Sequence, residues 1–216
     1  MKKHAEKFFN RRAEFWDVKY IPRNAEELSR ILIQKAEIKE GDRVLDLATG
    51  TGFQAVQMTF TVGRRGKVYG TDISVEMLKE AKEKIKKLGL EEVIELCRAD
   101  AENLPFKNNL MDAVICGFAY HHFPNPYKVA EEIYRILKPK RKVVIVDGCR
   151  PTWSHLKRVI VDLYVKIKDR SRKIRFYSEE EFRKFFKRAK FQNIHTWSFY
   201  QIHTLICPFV IIEAEK

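Results

Sequence analysis

Apolar residues recur every three or four positions through Val75, Leu78, Ala81, Ile85 and Leu88, with charged residues between them, so this stretch reads as an amphipathic helix that stops at Gly89. The runs on either side of it follow another rule. Val44–Leu47, Val68–Asp72, Val93–Cys97, Met111–Cys116 and Val143–Asp147 are short and nearly continuously apolar, as expected of strands covered on both faces. Further helices are expected from His4 to Trp16, after Asn24 as cap, from Phe53 to Phe60, after Ser74 as cap, and from about Pro126 to Leu137, with Pro139 just beyond. Strands and helices that alternate at this interval predict a mainly parallel, doubly wound α/β sheet. After residue 150 the alternation changes. Pro151 to about Lys168 reads as an inserted amphipathic helix, and Ser178 to Lys190 as a helix whose capping box is completed by Glu181. Ile194–Phe199 and His203–Ile212 lie too close together for a parallel crossover and predict an antiparallel hairpin at one sheet edge.

Two features of the first strand carry chemistry. Asp46 is an acid inside a short apolar run, where an unpaired carboxylate is costly. Gly50 and Gly52 follow it at once, a spacing that turns the backbone tightly and exposes its N–H groups at a helix start. As Gly50-x-Gly52-x-x-Ala55 with Asp72 about 20 residues further on, the turn matches the dinucleotide fingerprint. The acid argues the other way: it would repel a pyrophosphate and attract the ammonium and sulfonium of S-adenosylmethionine.

Charge and cysteine usage add less. The 216 residues suffice for one large domain, and the formal net charge of +13 arises from 42 basic residues interleaved with 29 acids, mostly along helical faces. The densest basic segment is Lys157, Arg158, Lys166, Lys168, Arg170, Arg172, Lys173 and Arg175, opposed by Asp162 and Asp169, which keeps a nucleic-acid partner in view without favouring it. Cys97, Cys116, Cys149 and Cys207 have no metal-ligand spacing, so buried thiols in a reducing cytoplasm are expected, with no metal site. No apolar run is long enough for a membrane span, and the N-terminus lacks a signal-peptide core.

Taken jointly, VLDLATGTG at 44–52, GTDIS at 70–74 followed by EMLKEA, RADAENLPF at 98–106, MDAVICGFAYHHFPNP at 111–126 and EIYRILKP at 132–139 resemble the class I S-adenosylmethionine-dependent methyltransferases, within them the branch of the ubiquinone and menaquinone C-methyltransferases. That resemblance implies a Rossmann-like, seven-stranded sheet with an antiparallel last strand, and S-adenosylmethionine as cofactor. It places the methionine part near Asp46, Ala48, Gly50, Thr51 and Gly52, the ribose hydroxyls on Asp72, and the adenine against Ile73, Asp100 and Ala101, with Gly117 and Phe118 bordering the methyl group. The chain departs from the family where Ala48 stands for a frequent glycine, where Lys140-Arg141 stands for a glycine pair, and where His121-His122 follows the fourth strand.

The resulting expectation is a single domain over residues 1–216: a helical lid at 1–40, a cofactor-binding core at 41–148, and an inserted helix, a helix and a hairpin at 149–216. The expected activity is methyl transfer to a small-molecule acceptor, with His121 or His122 as general base because imidazole titrates near neutrality. An RNA or protein methyltransferase, a non-enzymatic cofactor-binding protein and an NAD oxidoreductase are the competing readings. Phe8, Phe9, Phe15, Trp16 and Tyr20 are too many large apolar groups for a free tail, and are expected to roof the acceptor pocket together with the inserted helix.

Overall fold

The computed structural model describes residues 2–21, 24–151, 159–161, 163, 175–199 and 208–216. Most of the inserted helix and its basic residues, Arg175 apart, lie outside them, as does Cys207. Seven strands form one sheet: β1 (Arg43–Leu47), β2 (Lys67–Asp72), β3 (Ile94–Arg98), β4 (Met111–Gly117), β5 (Leu137–Gly148), β6 (Gln192–Phe199) and β7 (Phe209–Glu215). Their spatial order is β3-β2-β1-β4-β5-β7-β6. The first five pair in parallel, while β7 runs antiparallel to both β5 and β6. The expected hairpin is therefore present, with β6 at the edge.

Helices cover both faces because the strand side chains alternate. Val144 and Val146 of β5 join Val44 and Ile115 in a core closed by α3 (Ala25–Lys35), α4 (Phe53–Val62) and Ile85 of α5 (Val75–Lys87). Val143 and Ile145 join Leu45, Leu47 and Val114 in a second core, closed by α6 (Pro126–Ile136) and α7 (Glu179–Arg188) through Val129, Ile133, Phe182 and Phe186. Before α3, a helix α1 (Lys2–Asn10), a 3-10 turn (Ala13–Phe15) and a short helix α2 (Trp16–Tyr20) make up the N-terminal segment.

The helix ends follow the sequence closely. Ser74 accepts from the Met77 N–H, and Ser178 and Glu181 form the expected capping box. Asn24 corrects the expectation: it precedes α3 but its side chain makes no capping bond to it. The fifth strand also starts six residues earlier than expected, at Leu137, with an irregularity in its pairing between Met111 and Ala113 of β4. Lys140, one of the residues in place of the glycine pair, lies there at φ +60°. A lysine is held in that left-handed conformation by its surroundings: its N–H donates to the Lys216 carbonyl, and the neighbouring Arg141 guanidinium pairs with Asp42 and Asp112.

A candidate active site at the carboxyl ends of the strands

β1 ends in Asp46-Leu47, and the chain then makes three left-handed residues, Ala48 at φ +59°, Gly50 at +55° and Gly52 at +80°, before α4 begins. This turn brings Thr49 back over the strand, where its hydroxyl donates to Asp46 at 2.5 Å. Asp46 is 1% exposed, and burial pushes its carboxyl up to about 7 against the Thr49 bond and an Ala55 N–H, which lower it, with the nearby Asp72 charge raising it further. Asp72, at the end of β2, accepts from the Gly50 N–H at 2.9 Å and the Ser74 N–H at 2.8 Å, and burial again raises its carboxyl. Among the described residues neither acid is paired with a cation.

β4 and β5 contribute a different arrangement. Phe118 adopts φ +53°, which turns the chain sharply after Gly117 into the 3-10 turn Tyr120–His122. Asp147, fully buried near the end of β5, accepts from the His121 backbone N–H at 2.8 Å, and its other oxygen lies 2.6 Å from His121 Nδ1. A carboxylate so placed fixes the Nδ1–H tautomer and leaves Nε2 as the basic nitrogen. His122 lies beside it with ring centroids 3.9 Å apart and planes tilted by 45°, and meets Phe9 edge-on at 5.0 Å.

These groups face one cleft of about 1300 Å³. Asp46, Ala48, Gly50, Thr51, Asp72, Ile73, Asp100, Ala101, Gly117, Phe118, His121 and His122 all line it. Gly52 does not: it starts α4, and a Cβ there would stand 3.1 Å from the Ala81 Cβ, so this glycine serves close packing of α4 on α5. Gly50 is the opposite case, since a Cβ there would meet nothing within 4 Å. Phe8, Phe9, Trp16 and Tyr20 line the cleft too, whereas Phe15 points outward and is 61% exposed, which corrects the expectation for that residue. The N-terminal segment is tied down at successive strand ends. Asp17 accepts from the Thr51 hydroxyl and from Lys84, Ser74 donates to Asn10 at 2.6 Å, and Glu6 pairs with Arg98 at 2.7 Å.

Comparison with known proteins gives this geometry a family. Residues 24–167 match the ubiE/COQ5 methyltransferase family, two thirds of the chain. The chain belongs to that family. A ubiquinone/menaquinone biosynthesis C-methyltransferase UbiE of Blochmanniella floridana is 37% identical over 135 residues, covering 62% of this chain and 53% of the relative. A demethylmenaquinone methyltransferase of Lactobacillus johnsonii is 39% identical over 119 residues, 55% of this chain and 49% of the relative. The chain thus spans about half the length of the curated relatives it matches. Among solved structures, a SAM dependent methyltransferase from Aquifex aeolicus superposes with a TM-score of 0.70 at 24% identity over 95% of this chain and 97% of that one, a likeness of fold.

The residues of this ubiE/COQ5 family member fit the methyl donor on chemical grounds. Uncompensated carboxylates suit a ligand bearing an ammonium, a sulfonium and ribose hydroxyls, and they oppose a pyrophosphate. Two buried side-chain polar atoms among the described residues lack a partner, Thr71 Oγ1 and Gln54 Nε2, and both residues line this cleft. Thr71 immediately precedes Asp72 in β2. Sequence reasoning missed Asp147, Thr49 and Gln54. The signal for Asp147 was available: it ends an apolar strand as Asp46 does.

Proposed function

We propose that this chain transfers the methyl group of S-adenosylmethionine to a small-molecule acceptor held in the cleft. The observation that carries this reading is the meeting, in one cavity, of acids at the ends of β1 and β2 with an imidazole braced by a buried carboxylate at the ends of β4 and β5. When bound, S-adenosylmethionine supplies a methyl carbon activated by a sulfonium. Asp46 and the turn from Ala48 to Gly52 attract its cationic amino-acid end, Asp72 accepts from the ribose hydroxyls, and Ile73, Asp100 and Ala101 border the adenine.

His121 is the general base of this reading. Its Nε2 takes the acceptor's proton while Asp147 holds the Nδ1–H and stabilises the imidazolium. His122, against Phe9, shapes the acceptor side of the cavity. Gly117 and Phe118 border the position of transfer, and the aromatic N-terminal segment excludes water from it. In domain terms, residues 1–40 act as lid, 41–148 as cofactor-binding core and 149–216 as the part that completes the acceptor side. Buried thiols at Cys116 and Cys149 support a reducing, cytoplasmic setting. No helix among the described residues is long and apolar enough to cross a membrane.

Calorimetric titration with S-adenosylmethionine, its demethylated product and NAD tests the reading. Binding of the first two and not the third is expected, followed by transfer of labelled methyl to a member of an acceptor panel. Tight NAD binding without affinity for the methyl donor overturns it.

A further inference from the structure

Gln54 and Ser29 form a polar pair where α3 and α4 wall the cleft. Ser29 of α3 is 2% exposed and donates to Gln54 Oε1 at 2.7 Å. The amide is thereby oriented, and its buried Nε2 has no partner among the described residues. The neighbours that line the cleft from α3 are Ala25, Leu28 and Leu32, none of which offers a polar side chain. A buried amide left unmet is costly, and a single donor in an apolar wall discriminates strongly between ligands that do and do not answer it.

The direction of the pair decides what it meets. α4 follows β1 and packs on β2, whereas α3 packs against α4 and β5. Because Ser29 holds the amide from α3, which packs on α4 and β5, the Gln54 side chain reaches from α4 toward the β5 side of the cleft, where Val146 and Phe118 share the α3–α4 core, rather than toward Asp72 at the end of β2. His121 enters the same cleft from the ends of β4 and β5.

We infer that Gln54, oriented by Ser29, is a specificity residue that donates a hydrogen bond to a carbonyl oxygen of the acceptor. The inference rests on the methyltransferase reading and deepens it. An acceptor lacking that oxygen leaves the donor buried and unmet, and is rejected for that reason.

The test uses the full chain as wild type, as the double variant Ser29→Ala with Gln54→Leu, and as Gln54→Glu. Three quantities are measured: melting without ligand, calorimetric affinity for S-adenosylhomocysteine, and affinity of the product-loaded protein for acetylnaphthol and ethylnaphthol, aromatic alcohols of one shape that differ by a carbonyl oxygen. The double variant is expected to melt higher than wild type, since it removes an unmet buried group, and to bind S-adenosylhomocysteine equally well. It is expected to lose roughly tenfold in affinity for acetylnaphthol and nothing for ethylnaphthol, as for one hydrogen bond. Gln54→Glu, which offers an acceptor in place of a donor, is expected to lose more.

Unchanged affinity for acetylnaphthol, or no binding of it by the wild type, overturns the inference. So does a loss confined to S-adenosylhomocysteine, which would assign the donor to the cofactor's carboxylate. Tighter acetylnaphthol binding by Gln54→Glu than by the double variant overturns it too, because the amide would then present its oxygen. A wild type that binds no S-adenosylhomocysteine overturns the methyltransferase reading itself, and this inference with it.

Discussion

The two ends of the parallel sheet treat the same side chain in opposite ways. At the amino end of β4, Asp112 is 5% exposed yet accepts from Lys138 at 2.8 Å, from Arg141 at 2.9 Å and from the Arg43 N–H at 3.0 Å. Burial raises its carboxyl, but those bonds and charges together hold it below the usual range. Glu37 is likewise lowered, chiefly by its bond to Lys142. At the carboxyl ends, Asp46 and Asp72 meet hydroxyl and backbone donors only, and burial wins. Carboxylates answered by cations serve the fold, whereas buried carboxyls met by no cation and raised by burial are the pattern expected of a functional site.

Substitutions can break or sharpen that contrast. The largest effect is expected at His121: His121→Ala should retain affinity for S-adenosylhomocysteine and lose roughly 100-fold or more in turnover, the usual contribution of a positioned base. Equal turnover across pH would remove it from the chemistry. His122→Ala, by comparison, should alter acceptor affinity more than turnover.

Next in size is the structural end. Asp112→Ala strands Lys138 and the Arg43 N–H and leaves Arg141 to Asp42 alone, and should cost about 3 kcal/mol in denaturant unfolding with cofactor affinity unchanged. Its pH dependence follows. A carboxyl lowered in the fold contributes stability that is complete above its unfolded value near 3.8 and is lost as pH falls through the lower folded value. Asp72→Ala should show the reverse profile, weakening S-adenosylhomocysteine by roughly 1 to 3 kcal/mol while leaving unfolding little changed. An intact affinity would show that the ribose is held elsewhere.

Asp46 supplies a titration. Its carboxyl lies at 3.8 without the fold and about 7 within it, so between those values the folded state keeps a proton that the unfolded chain has released. Stability therefore falls as pH rises through that window, while affinity for a cationic ligand rises toward its upper end. Calorimetry on either side of neutrality should find tighter S-adenosylmethionine binding at the higher pH, and Asp46→Asn should abolish the difference. The smallest effect is local: Ala48→Gly relieves a left-handed alanine and should stabilise the protein by less than about 1 kcal/mol, visible as a small rise in melting temperature.

The sequence revealed most where a local rule decides the outcome. Acids ending apolar runs at Asp46 and Asp72, the glycine turn between them, and the caps at Ser74 and Ser178 depend on neighbours a few positions away. What stayed hidden depends on distant pairings. Asp147 acquires a role only because β5 lies beside β4 and presents it to His121, 26 residues away in sequence. Gln54 needs Ser29, and the amino-end cluster joins Asp42 to Arg141 across 99 positions. Phe15 was expected to roof the cleft from composition alone, but a 3-10 turn at Ala13–Phe15 sets its direction and faces it to water. Left-handed backbone at Phe118 and Lys140 carried no sequence signal, since neither residue type favours it.

The ties of the N-terminal segment bear on how the protein is made. Glu6 leaves the ribosome long before Arg98, its partner 92 positions later, and Asn10 waits 64 positions for Ser74. Loop closure over such separations is slow compared with helix formation, so the central strands assemble first and the aromatic segment docks last. During synthesis Phe8, Phe9 and Trp16 therefore travel undocked, and the nascent chain is most exposed to chaperone capture or aggregation in the interval before β4, the His122 turn that Phe9 packs on, and β5 have appeared.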